Sequence, residues 1–512
     1  MELLVEKRYL KIPVRFDGEP RRFTVSENGA PVYEFDAAYT ADAPDAEYCA
    51  DLRDYAGRTV TLDAPEDFVP VLCDAPVPLT AAQEALRPAV HFTAERGWVN
   101  DPNGLCFYDG LYHLFYQHNP YGRQWGNMHW GHAVSRDLLH WEHREEAMFS
   151  DMHGAMFSGC AVVDRENIAG LKQGDETPLL FFYTCAGKRS TQCLAYSVDG
   201  GETLVKYGGN PLLPELVGGN RDPKVIFDAE RGRWLMALYF DGRNYGLFTS
   251  KDLLHWTLLQ RFDLPGDDEC PDFYPLTADD GRTLWVYSGA HDMYYVGTFD
   301  EKGLYQPIQA VGQLSYSSAA YAAQTYYREA GGPVIRIAWN RSEVPGAPFN
   351  GSMCTPTEMT LRKIGGRYYL CAKPIAGVDA LVTKEVRKTA ETMQNYVQPL
   401  EAKACRITFT VKDVPFSCKV YGLDIRVEAG GISCKDAFLP RTEEETMEIQ
   451  ILADTTSTEI YLNGTAITAV PHVADAAQAV FELRCLYQAL LLGCARPLRA
   501  LLRFGARALK IR

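Results

Sequence analysis

Short apolar runs rich in aromatic residues recur through the middle of the chain, at 111–117, 179–184, 234–240, 283–289 and 334–340, each bounded by polar or glycine-containing turns. Their length suits strands better than helices. A polar landmark recurs with them: Ser135-Arg136-Asp137-Leu138-Leu139-His140-Trp141 returns as Ser250-Lys251-Asp252-Leu253-Leu254-His255-Trp256. A degenerate copy, Ser197-Val198-Asp199-Gly200-Gly201, lies between them. A period of roughly 50 to 70 residues suits a four-stranded propeller blade, which cannot cover both of its faces alone. The pattern predicts five blades. An unrelated β-sandwich would also give many short strands, but the recurring Ser-x-Asp turn favours blades.

A further apolar run reads as the innermost strand of each blade, at 104–108, 158–163, 223–227, 271–276 and 322–327. Such strands converge on the central channel of a propeller. Asp101, Ser158, Asp222, Glu269 and Tyr321 fall at or near one phase of their copies, so distant segments would bring carboxylates to one place. The acids share a local form: Asn100-Asp101-Pro102, Arg221-Asp222-Pro223 and Glu269-Cys270-Pro271-Asp272. Proline after the acid predicts a strand entrance, where a missing N–H matters least. Asp-Pro also marks ordinary turns; three in phase point to a site. Clustered carboxylates on a rigid scaffold are the equipment of glycosidic bond cleavage.

On either side the pattern changes. Residues 1–88 alternate apolar and polar positions between glycine and proline turns, as in Arg22-Phe23-Thr24-Val25-Ser26, and predict a small β module. The propeller would occupy 89–375, and 376–512 would form a C-terminal β-sandwich. After Glu482 no acidic residue occurs, while Arg496, Arg499, Arg503, Arg507, Lys510 and Arg512 accumulate. Strand and helix both fit that tail.

A net charge of -15 argues against a nucleic-acid groove. No uncharged apolar run reaches membrane length and no secretory leader is visible, so a cytoplasmic protein without membrane partners is expected. The 14 cysteines lack regular spacing, which favours buried thiols over a disulfide framework. Eight of the eleven histidines lie between His91 and His153, including His129-x-x-His132 and His140-x-x-His143. That spacing could bind zinc on a helix, but on strands i and i+3 face opposite sides. Neither a metal nor another cofactor is expected.

Lined up, these residues resemble glycoside hydrolase family 32, the β-fructosidases. Trp98-Val99-Asn100-Asp101-Pro102-Asn103-Gly104 is similar to that family's Trp-Met-Asn-Asp-Pro-Asn-Gly signature. Tyr116-Gln117-His118-Asn119-Pro120, Trp125-Gly126, His129-Trp130-Gly131-His132 and Phe157-Ser158-Gly159 resemble bacterial levanases and exo-inulinases. Arg221-Asp222-Pro223 and Glu269-Cys270-Pro271-Asp272 match two further signatures in order. In the last blade, Ser315 and Ala319 stand where relatives often show Asp, which leaves substrate contacts from that blade open.

The resemblance implies an all-β protein, a five-bladed β-propeller followed by a β-sandwich. It implies hydrolysis of β-fructofuranosyl bonds with retention, on a fructan or sucrose-type carbohydrate. Asp101 would be the nucleophile, Glu269 the acid/base, and Asp222 a transition-state stabiliser bound to ring hydroxyls. Asn100, Gln117, Ser158, Arg221, Asp267 and Cys270 would contact or support the sugar site. Trp98, Trp125, Phe157, Tyr321 and Trp339 would supply its walls. An invertase-like preference, a fructosyltransferase and a non-catalytic carbohydrate-binding propeller are the alternatives.

Overall fold

The protein is described by a computed structural model over residues 1–317, 319–327, 332–382, 384–389, 396–400, 403–411, 415–473, 480–485 and 499–504. Five sheets follow one another between Gly97 and Pro374; each runs outward from its first strand in antiparallel order, and in the first of them Phe349–Asn350 adds a parallel pairing to Gly97 and Trp98. Those first strands are Gly97–Tyr108, Ala155–Val163, Arg221–Asp228, Asp272–Thr277 and Ala320–Tyr326. Each packs against the first strands of two neighbouring sheets. These are the five blades of the propeller. The second strands explain the apolar runs in the sequence. Leu179, Leu180, Phe181 and Phe182 have no exposed surface, because both faces of that strand are covered by neighbouring sheets.

The repeated polar turn has a common geometry. Ser135 Oγ accepts the Leu138 N–H at 2.8 Å and Asp137 Oδ1 accepts the His140 N–H at 2.8 Å. Ser250 and Asp252 do the same for Leu253 and His255. Leu138 and Leu253 both hold φ at +66°, a costly conformation for a branched residue. In the degenerate copy that position is Gly200, at φ +75°, where glycine adopts it freely.

Four of the five first strands carry a register shift at the same place: Val99/Pro102, Phe157/Gly159, Arg221/Lys224 and Tyr321/Gln324. Such bulges bend a strand and re-aim its side chains. They also refine the expectation for proline. Pro223 is the third residue of its strand and Pro271 directly precedes Asp272–Thr277, both at an entrance, whereas Asp101-Pro102 lies well inside Gly97–Tyr108. A bulge leaves a residue outside the ladder, so a proline without an N–H is accommodated there.

Before the propeller, two sheets of four and three strands enclose a core of Phe23, Phe35, Tyr48 and neighbours. Tyr121 of the first blade belongs to that core as well. After it, two six-stranded sheets pack as a sandwich around residues such as Ile407, Phe409, Ile425, Ile449 and Phe481. Within the basic tail, Arg499–Phe504 is a strand paired with Lys384–Thr389 and Cys405–Val411, so the strand reading holds there. Arg496, Arg507, Lys510 and Arg512 lie outside the described residues. Twelve described cysteines are free thiols. No helix among the described residues is long and apolar enough to cross a membrane.

Candidate active site

Bulges place Asp101 and Asp222, and the loop ahead of the fourth blade brings Glu269 beside them. Asp101 Oδ2 accepts a hydrogen bond from Ser158 Oγ at 2.6 Å, and Oδ1 accepts one from Asn100 Nδ2 at 3.2 Å. Asp222 receives the Cys270 N–H at 3.1 Å on Oδ2. The Cys270 thiol lies 3.5 Å from Asp101 Oδ2 and 3.5 Å from Asp222 Oδ2, so one small group bridges two carboxylates. Glu269 is the next residue back. Its carboxylate accepts from Arg221 Nη2 and from the Tyr321 hydroxyl, and its backbone carbonyl accepts from Tyr245 Oη at 3.1 Å.

Backbone strain fixes these positions. Asp222 (φ +64°), Glu269 (φ +51°), Cys270 (φ +36°) and Ala322 (φ +53°) all occupy the left-handed region without being glycine. Each such residue costs about 1–3 kcal/mol, and the surrounding sheets must hold it there. The result is a constellation set by all five blades at once.

Burial and mutual repulsion shape the electrostatics. Desolvation pushes Asp222 up to about 7; Arg221 opposes this, while Glu269 and Asp101 add to it. Asp101 is raised by burial as well, against the pull of donors on Ser158, Asn100 and Cys270. Burial among anions holds the Cys270 thiol well above its ordinary value, so it is an S–H donor. Asp222 is 4% exposed, whereas the Glu269 side chain keeps 32% of its surface. One acid is enclosed and another remains open to water.

The aromatic walls assemble around them. Trp98 donates Nε1–H to Asn100 Oδ1 at 2.9 Å and meets Trp339 edge to face, with centroids 5.4 Å apart. Tyr321 packs against Trp339, and the Arg341 guanidinium lies 3.9 Å from the Tyr321 ring centre. Phe157 meets Trp125 edge to face at 6.0 Å, and Trp125 is 61% exposed. Gln117 is nearly wholly buried and gives an amide N–H to the Met156 carbonyl at 2.8 Å, which ties the first blade to the second.

Asp267 acts on the backbone around the site: Oδ1 accepts the N–H groups of Asp268 and His291, and Oδ2 accepts that of Met293. Those bonds pin the loop that carries Glu269 onto the next turn. Asp272 likewise lies beneath the site, paired to the buried Lys224 at 3.1 Å. Sequence reasoning also missed several supporting groups. Thr184 Oγ1 accepts the strained Asp222 N–H at 2.9 Å, while Tyr245 and Arg341 brace Glu269 and Tyr321. Thr184 and Tyr245 come from strands and Arg341 directly follows one, none within an acid-bearing motif.

The clustered histidines serve packing and hydrogen bonds. His113 Nδ1 lies 3.1 Å from His132 Nε2, and His118 pairs with Glu146 at 2.8 Å. Among the described residues, Asp267, Asp268 and His291 place ligand atoms within 4.8 Å of one another. Both Asp267 oxygens are already engaged by backbone N–H groups, so this trio reads as a loop anchor.

Fold and site together define a β-propeller with a carboxylate cluster at the start of its blades, placed by bulges at Asp101 and Asp222 and by left-handed backbone at Asp222 and Glu269. Residues 91–374 match the model of the glycosyl hydrolases family 32 N-terminal domain, and the chain belongs to that family. It is 34% identical over 378 residues to a levanase of Bacillus subtilis, covering 67% of this chain and 55% of that protein. It is 35% identical over 312 residues to an invertase of Schizosaccharomyces pombe, covering 54% of this chain and 53% of that one. The match thus spans about half the length of these relatives. The crystal structure of an exo-inulinase from Aspergillus awamori shares the fold, with a TM-score of 0.72 and 23% identity over 82% of this chain and 98% of that one.

Proposed function

We propose that the protein is a retaining β-fructofuranosidase that releases fructose from levan- or inulin-type fructans. The observation that carries this reading is the carboxylate trio. A part-buried Asp101, aligned by Ser158 and Asn100, stands beside Asp222, with the half-open Glu269 across the same site.

In this reading Asp101 attacks the anomeric carbon as Glu269 gives its proton to the departing glycosidic oxygen, which breaks the fructosyl bond and leaves a fructosyl ester on Asp101. Glu269, now ionised, takes a proton from water as that water attacks the same carbon. Fructose leaves, and both carboxyl groups return to their starting states. The exposure of Glu269 suits its part, because it must meet both the leaving group and the water. Asp222 bonds ring hydroxyls, and these bonds tighten as positive charge develops on the sugar. Arg221 and Tyr321 hold Glu269 in place.

Incubating the protein with levan, inulin and sucrose, alongside Asp101→Ala, tests this. Fructose from the parent and a loss of about 10⁴-fold or more in the variant are expected. Sucrose outrunning both polymers would favour an invertase; new oligosaccharides at high sucrose would mark a transferase. Binding without turnover, unaffected by Asp101→Ala, would leave a carbohydrate-binding propeller.

A further inference from the structure

The small N-terminal sheets lie against the loop that presents Trp125. Asn127 gives an Nδ2–H to the Asp36 carbonyl and accepts the Asp36 N–H, both at 2.8 Å. Tyr33 binds the hydroxyl of Tyr121 and lies 2.9 Å from His129 Nε2. Tyr48 reaches the Pro348 carbonyl at 2.9 Å, and the Arg123 guanidinium lies 4.6 Å from the Phe16 ring centre. These ties leave a groove of about 180 Å³ between the two parts.

The position of the groove suggests its occupant. Trp125 lines it on one side and touches Phe157 on the other, while Ser158, the next residue, holds Asp101. Touching residues therefore link the nucleophile to the groove: Asp101 to Ser158, and Phe157, next to Ser158, to Trp125. Arg15 and Phe16 of the N-terminal sheets form the facing wall, with Gln124 at the exposed rim. An open indole among hydrogen-bonding side chains matches a sugar ring, which has an apolar face and a polar edge.

We infer that this groove is a distal saccharide subsite, in which the N-terminal sheets help to hold fructosyl units of a chain beyond the bond being cut. This rests on the fructosidase reading above. Residues 1–88 thereby become part of the specificity of the site: they favour long fructans over sucrose, which is too short to reach the groove.

The test compares kcat/KM on sucrose and on inulin-type oligosaccharides of increasing length for the parent, Arg15→Ala and Phe16→Ala. Thermal melts confirm that both variants are folded. The ratio of long-chain to sucrose kcat/KM is expected to fall by about 5- to 10-fold in each variant, mainly through KM. An unchanged ratio overturns the subsite, and so does an equal fall on every substrate, which would mark a general structural effect. Either result leaves the fructosidase reading standing. A parent protein that cleaves no fructoside would remove that reading, and the subsite with it.

Discussion

Asp222 sits where solvation and function oppose each other. It is enclosed beside two other acids, and Arg221, helped by the Cys270 N–H, offsets the repulsion only in part. Its carboxyl is raised to about 7, above the unfolded value near 4, so the ionised form destabilises the fold. That penalty is absent below about pH 4, grows as pH rises and is complete above about pH 7. Asp222→Asn keeps an acceptor for the Cys270 N–H but removes the charge. The variant should gain about 1–3 kcal/mol of stability at pH 8, an advantage that shrinks toward pH 4, while kcat falls by about 10²–10³-fold. Thermal melts across this range check the first half; a constant gain at every pH would refute it. This conflict was only partly legible beforehand. The acids stood out because each sits in a local motif, but Thr184 and Tyr245 reach Asp222 and Glu269 from other strands, and Arg341 braces Tyr321 from beyond a third. Contacts made only in three dimensions leave no local signal.

At the level of the element, the bulges decide where those acids point. The apolar runs of the second strands could be read directly, because burial on both faces removes polar alternation. The bulges could not: they need no signature residue, and proline there resembled a strand entrance. At Ser158 the bulge depends on the next residue. A Cβ on Gly159 would lie 1.9 Å from the Phe182 carbonyl oxygen, which belongs to the paired strand and cannot move aside alone. Gly159→Ala should therefore destabilise the protein by more than about 2 kcal/mol and loosen Ser158 from Asp101. Chemical denaturation and residual fructoside turnover would report the two effects. A variant of parental stability would show that the second blade yields more readily than its register implies.

At the scale of the whole molecule, propeller and sandwich meet through buried charge. His91, just ahead of the first blade, lies 3.2 Å from Asp454 and 3.5 Å from Glu459, both carried by the sandwich. Asp454 also accepts the N–H groups of Ala89 and Val90, and Glu459 accepts that of Thr355 from the fifth blade. The two carboxylates outweigh the burial penalty on the imidazole and raise His91 to about 10, while Asp454 and Glu459 are lowered despite theirs. A raised histidine contributes its full stability below the unfolded value near 6.5 and loses it as pH rises through about 10. The lowered acids contribute above about pH 4 and lose their share as pH falls. His91→Gln leaves two buried anions without their cation, so at pH 6 it should cost about 3–5 kcal/mol. The parent itself loses the imidazolium near pH 10, so the two melting curves should converge there. A gap that stayed constant from pH 6 to pH 10 would mean that His91 acts by packing alone, and that the junction is held by the backbone bonds to Asp454 and Glu459.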